Sequence, residues 1–168
     1  PAGAEQKFHS AKLRDVVGPF VDGNQVKIYK ILERRELPDS CEVRIIWVAH
    51  KGGRATDPKI TRSMAESKLR ADSIVDVINS GKSRMEDIVE KLTDDPGSKH
   101  GNNGNYGWLF PQCGIVHEIV YAGMSLPLHK AAVINTVFGY YVVRVLHQSS
   151  STHTYTVVSV ISQNIKQQ

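Results

Sequence analysis

Between Asp15 and Leu32 the side chains follow a period near two. Val26, Ile28 and Lys30 fall on one side, Lys27, Tyr29 and Ile31 on the other, and Asp22-Gly23-Asn24 supplies a turn. This predicts a strand hairpin. Pro38-Asp39-Ser40 punctuates the chain, and the β-branched apolar run from Glu42 to Ala49 follows with few charges, as expected for a strand central in a sheet. Lys51 to Lys59, with Gly52-Gly53 and Asp57-Pro58, is a loop by composition. From about Thr61 to Asn79 the apolar positions Ala65, Leu69, Ile74, Val75 and Ile78 recur at near-helical spacing, and Gly81 stands where a C-terminal cap belongs. Ser83 is the expected N-cap of a second helix, in which Met85, Ile88, Val89 and Leu92 fall at i, i+3, i+4 and i+7.

Thr93 to Trp108 is rich in Gly, Asn, Asp and Ser and reads as one long loop. Ile115 to Tyr121 predicts a short helix, Ala132 to Asn135 and Phe138 to Leu146 two strands, and Tyr155 to Ile161 a last one. Strand, helix, helix, loop, short helix, strand, strand is the order of an α+β domain, with helices packed on an antiparallel sheet. The expected division is an N-terminal flanking segment with the hairpin (1–41), a main domain (42–148) and a C-terminal flanking strand (149–168). There is no internal repeat of 20–50 residues.

Composition narrows the function classes. The chain has 168 residues, 40% apolar and 23% charged, which suits a folded domain with a real core. Its 21 basic residues exceed its 17 acidic ones by only four and are scattered, with Arg34-Arg35 and Lys51/Arg54 the sole concentrations. A nucleic-acid partner is therefore not expected. No apolar run approaches the roughly 18 residues of a membrane span, and Pro1-Ala-Gly-Ala-Glu-Gln lacks the regions of a signal peptide. Cys41 and Cys113 are the only cysteines, and no histidine pair has metal-ligand spacing, so neither a metal site nor a cofactor is expected. A disulfide between the two cysteines and two free thiols both remain open.

Three strings carry a specific resemblance. Val43-Arg44-Ile45-Ile46-Trp47-Val48 stands in place of V-R-H-I-L-V. Thr93-Asp94-Asp95-Pro96-Gly97-Ser98-Lys99 and then Gly104-Asn105-Tyr106-Gly107-Trp108 follow the pattern S-x-D-P-x-S-K and G-G-x-L-G-W-F. Thr136-Val137-Phe138-Gly139-Tyr140-Tyr141 matches T-x-F-G-Y-H at all but the last position. In this order and spacing, the stretch from about Val43 to Val145 resembles the parvulin family of peptidyl-prolyl cis-trans isomerases. The flanks, Asp15-Val-Val-Gly-Pro-Phe and Ile161-Ser-Gln-Asn-Ile165, resemble segments joining parvulin modules in envelope folding factors. That resemblance implies a longer periplasmic or membrane-tethered chaperone acting on unfolded or proline-containing polypeptides, without a cofactor. It implies no particular oligomeric state.

An X–Pro amide rotates over a barrier of about 18–20 kcal/mol, so a catalyst must favour the twisted amide, with an apolar grip on the ring and polar groups near the carbonyl. Parvulins place two histidines and a Cys or Asp beside such a pocket. By motif, the Cys/Asp position falls on Asp95, whereas the histidine positions fall on Ile45 and Tyr141. The resemblance thus implies Asp95, Tyr141 and Thr136 as catalytic candidates, Ile45 as a degenerate catalytic position, and Tyr106, Ile115, Ile119 and Phe138 as the substrate-binding lining. Each residue also has a plain reading. Asp before Pro favours an Asx-turn, Tyr141 and Ile45 suit a sheet, and Ile115 and Ile119 suit the core side of a helix. Lys51 and Arg54 occupy the loop where some parvulins take phosphorylated peptides, but two separated cations read as a solvated loop. The favoured reading is a parvulin framework with weak or no isomerase activity that binds unfolded polypeptide. The alternatives are an active isomerase built on Asp95 and a purely structural dimerisation or scaffold module.

Overall fold

The computed structural model describes residues 4–99 and 101–164 and divides into two compact units, residues 1–37 with 152–168, and residues 38–151. In the first unit, helix α1 (Ala4–Ser10) precedes strands β1 (Val16–Asp22) and β2 (Gln25–Pro38), which pair antiparallel from Asp22↔Gln25. The tight turn lies where Asp22-Gly-Asn predicts it, with Gly23 at φ +59°. Strand β7 (Thr152–Asn164) lies beside β2, giving the order β1-β2-β7. Tyr29 and Ile31 form the inward side of the β2 alternation: Ile31 packs with Val17 and Phe20, and the rings of Phe8, Phe20 and Tyr29 lie 5.2–5.8 Å apart. Ile165, in the flank resemblance, lies outside the described residues.

The second unit is an α+β layer built on one antiparallel sheet. Its elements are β3 (Cys41–Val48), α2 (Met64–Asn79), α3 (Met85–Leu92), β4 (Asn105–Leu109), α4 (His117–Ser125), β5 (Ala131–Thr136) and β6 (Gly139–Gln148), with strand order β4-β3-β6-β5. As the apolar run predicts, β3 is central. Its even-numbered Ile46 and Val48, with Tyr140 and Val142 of β6, join Ala71, Ile74 and Ile78 of α2 and Met85 and Val89 of α3 in one buried cluster. Helix α4 packs on β3, β5 and β6. Gly123 permits that approach, because a Cβ there would overlap Cys41 Sγ and reach within 2.8 Å of Val43 Cγ1. Gln148 Nε2 donates to the carbonyls of Gly123, Met124 and Leu126, closing the end of α4.

Three expectations are corrected here. Helix α2 starts at Met64 after a capping box made by Ser63 and Glu66, and its inward stripe is Ser67, Ala71, Ile74 and Ile78. Ala65 and Leu69 lie outside that stripe, and Leu69 is 67% exposed. Ser67 can be buried because its hydroxyl donates to the Ala49 carbonyl at 2.7 Å. The N-cap of α3 is Arg84 rather than Ser83, without a side-chain cap bond. The segment read as one loop contains β4, which finds its hydrogen-bond partners on the edge of β3. Both cysteines are free thiols.

One electrostatic feature holds α3 to the sheet. Arg44 and Arg144 are cross-strand partners, a repulsive pairing on its own, and Glu86 of α3 lies 3.3 Å from one and 3.7 Å from the other. Burial opposes ionisation of Glu86. Its own backbone N–H and the guanidiniums of Arg44, Arg144 and Arg84 outweigh that, so its carboxyl titrates below the ordinary 4.5. Glu86→Gln is expected to cost about 2 kcal/mol, because it leaves two partly buried like charges facing each other. A depressed folded value stabilises above the unfolded pKa and is lost as pH falls through the folded one. Urea unfolding of the two proteins should therefore differ most at neutral pH and converge as pH falls below 4.5 and through the lowered folded value.

Candidate functional site

The site forms where the loop after α3 is laced to the end of β3. Thr93 Oγ1 accepts from the backbone N–H of Trp47 (3.1 Å) and of Asp95 (3.2 Å), and the Asp94 N–H donates to the Trp47 carbonyl at 2.8 Å. The Asp94 carboxylate accepts from the Ala49 N–H (2.8 Å) and takes both ends of the Arg62 guanidinium (2.7 and 3.0 Å). These bonds place Asp95 next to the sheet. Its Oδ1 accepts from the Gly97 N–H at 3.1 Å, and its Oδ2 accepts from the Ser98 hydroxyl and from the Tyr106 hydroxyl at 2.9 Å. The Asx-turn and the resemblance to a catalytic position thus meet in one residue.

Burial alone would raise the Asp95 carboxyl. Hydrogen bonds from Ser98, Tyr106 and the backbone at Gly97 and Ser98 prevail and hold it below the usual carboxylate range. Burial and then the bond to Asp95 push the Tyr106 phenol upward. Tyr141 is pushed up to about 12, by burial and then by the Asp95 charge. At neutral pH the site is one carboxylate flanked by two neutral phenols.

Tyr141 lies across from Trp47 in the β3–β6 register, and the rings stack with centroids 6.1 Å apart and planes within 14°. Ile45, two residues before Trp47, is 1% exposed, and its N–H donates to the Gly104 carbonyl at 2.8 Å. Thr136 is buried: its hydroxyl donates to the Gly139 carbonyl and accepts from the Phe138 N–H, both at 3.1 Å, bracing the β5–β6 turn. Phe138 is half-buried, its carbonyl accepts from Trp47 Nε1 at 2.9 Å, and the Arg54 guanidinium lies 5.7 Å from its ring centre. In α4 and just before it, Ile119 is 2% exposed and Ile115 half-buried. Hydrogen bonds and charge therefore join Asp95, Tyr106 and Tyr141, while Trp47 ties Tyr141 to Phe138.

Two participants escape the sequence reading. Ser98, matched in the motif S-x-D-P-x-S-K but given no role there, is fully buried with its hydroxyl on Asp95. Trp47 does leave a signal: it is an aromatic residue where the resemblance has leucine, two positions from Ile45 and hence on the same face of β3. It lines an open pocket of about 570 Å³ together with Pro58, Ile60, Asp94, Pro96 and Lys99. The cations nearby do not converge: Arg62 is paired with Asp94, Arg54 lies over Phe138, and Lys99 is the one cation of the lining, which also holds Asp57 and Asp94. Among the described residues no cluster of His, Cys, Asp or Glu has the makings of a metal site.

A four-stranded antiparallel sheet with helices over its faces is consistent with a parvulin-type domain. The chain belongs to the PPIC-type PPIASE domain family, whose model matches residues 26–149. Among curated proteins it is similar to the chaperone SurA of Salmonella typhimurium, 25% identical over 144 residues. It is also similar to SurA of Photorhabdus laumondii, 28% identical over 144 residues. Both alignments take in 84% of this chain and 32% of the relative, so the chain spans about a third of their length. In fold it is similar to the peptidyl-prolyl isomerase ESS1 from Candida albicans, with TM-score 0.58, 16% identity, and 65% and 63% of the two chains covered. PrsA from Bacillus subtilis gives TM-score 0.50, 15% identity, and 67% and 37% coverage. Among the described residues no helix is long and apolar enough to cross a membrane.

Proposed function

We propose that this chain is a parvulin module of a longer cell-envelope folding factor, centred on residues 42–148, which holds extended or unfolded polypeptide and accelerates prolyl isomerisation weakly or not at all. The observation that carries this reading is the make-up of the polar cluster. Of its expected members only the carboxylate remains, with both Asp95 oxygens engaged by Ser98, Tyr106 and Gly97. The histidine positions hold Ile45, which has no polar side-chain atom, and Tyr141, which stacks on Trp47 and stays protonated at neutral pH. A phenol in that state donates and accepts at one oxygen and does not set a donor and an acceptor on separate ring atoms as a neutral imidazole does. An intact framework without that chemistry favours binding over catalysis, and the likeness to the chaperone SurA points the same way.

The test is the cis-to-trans rate of a set of X-Pro peptides with the native chain and with Asp95→Ala, alongside suppression of aggregation of an unfolded client. The expected result is less than about a tenfold rise in rate per micromolar of native chain, well short of the 10²–10³-fold that one well-placed polar group can contribute. Aggregation should be suppressed in the same preparation. Strong acceleration that collapses in Asp95→Ala overturns the reading in favour of an isomerase built on Asp95. Neither acceleration nor suppression favours a scaffold module.

A further inference from the structure

We propose that Trp47 is the residue on which this site receives the proline ring of a bound polypeptide. The inference rests on the polypeptide-binding reading above and assigns its recognition surface to a residue outside the motif-matched lining. The sequence resemblance puts the substrate-binding lining on Tyr106, Ile115, Ile119 and Phe138, yet Ile119 has only 2% of its surface free, which leaves little face for a ligand. Trp47 is different: it is half-buried and borders the open pocket beside Asp94 and Pro96. At about 570 Å³ the pocket is within the ~300–1,000 Å³ typical of ligand sites, large enough for an X-Pro unit.

Trp47 is also held in place before any ligand arrives. Its backbone N–H is fixed by Thr93 Oγ1, its indole N–H by the Phe138 carbonyl, and its ring is stacked on Tyr141. A platform with no rotamer freedom left to lose binds at a smaller entropic cost, and a flat aromatic wall is how extended proline-containing segments are commonly received. Pro58, Ile60 and Pro96 supply apolar lining beside it and Thr56, Asp57 and Lys99 polar lining, while Asp94 already has Arg62 and Ala49 as partners. Nothing so arranged calls for a phosphate, since the lining sets a single cation, Lys99, against the carboxylates of Asp57 and Asp94. The occupant to which this chemistry commits is an uncharged X-Pro segment in extended conformation. Thr93 Oγ1 accepts from the backbone N–H of both Trp47 and Asp95, so a ring on Trp47 would lie near the surviving polar cluster.

Trp47 and Trp108 are the only tryptophans, so Trp108→Phe makes Trp47 the sole indole emitter. That protein is titrated with an extended peptide bearing one central Ala-Pro and with the same peptide bearing Ala-Ala. Binding of a fluorescein-labelled, carboxymethylated unfolded protein is followed separately by anisotropy. Expected are a saturable change in Trp47 emission, about tenfold tighter for Ala-Pro, and a tenfold loss for that peptide in Trp47→Leu with Trp47→Phe retaining most of it. Equal affinities for the two peptides, or unfolded protein binding with Trp47 emission unchanged, overturn the inference and leave the polypeptide-binding reading standing. Absence of any binding to the native chain overturns both. The emission experiment keeps position 47 intact, so the inference stays testable if Trp47→Leu does not fold.

Discussion

Gly104→Ala should destabilise the 38–151 unit by about 3–4 kcal/mol, against about 1 kcal/mol for Gly107→Ala, when both are measured by urea unfolding. The two glycines have nearly the same left-handed backbone, φ +68° and +66°, so the conformational penalty on an alanine is the same for both. The surroundings differ. A Cβ on Gly107 meets nothing within 4 Å, whereas one on Gly104 collides with the Ile45 carbonyl oxygen and comes within 3.1 Å of Val89 Cγ1. The obstruction at Gly104 is backbone of the central strand and cannot swing away as a side-chain tip can. Gly104 also accepts the Ile45 N–H, and its own N–H donates to Asn102 Oδ1 at 2.9 Å, so displacing it breaks the join between β3 and the loop entering β4. Equal losses in the two variants would mean that left-handed backbone, not close approach, governs this corner.

The second large effect concerns activity. Restoring imidazoles at both degenerate positions, Ile45→His with Tyr141→His, is expected to raise the prolyl isomerisation rate at pH 7.5 at least about tenfold over the native chain, a fraction of what a well-placed donor can contribute. Both positions lie on the face of the sheet that carries Trp47, on paired strands β3 and β6, with Ile45 opposite Val143 and Tyr141 opposite Trp47. Asp95 already acts on Tyr141 through its charge, so an imidazole there would meet a carboxylate held ionised by Ser98 and Tyr106. The gain should depend on pH, because the two histidines titrate near neutrality and the useful form is the one that both donates and accepts. Ile45→His replaces a fully buried apolar side chain, so its thermal midpoint should fall, and rates are to be compared only below the onset of unfolding. A rate unchanged at every pH in the folded double variant would show that the framework has lost more than its histidines.

The α+β order, the central place of β3, the hairpin turn and the helical character of α2, α3 and α4 were all readable from spacing, because period and turn chemistry are local properties of the chain. Asp95 was readable as a candidate because a motif keeps its neighbours in sequence. The inward face of α2 was not. Ser67 faces the core only because the Ala49 carbonyl waits there for its hydroxyl, while the more apolar Leu69 points to solvent. Strand β4 was hidden as well: Asn105 to Leu109, which follows left-handed Gly104 and contains left-handed Gly107, looks like loop until the edge of β3 supplies its partners. Local patterning therefore determined most of the elements of the 38–151 unit, and the motif resemblance named the carboxylate. Tertiary structure alone decided which groups hold that carboxylate and which aromatic side chain borders the pocket. Those outcomes depend on bonds between residues far apart in the chain, 46 positions for Trp47 and Thr93 and 91 for Trp47 and Phe138, and periodicity carries no information over such separations.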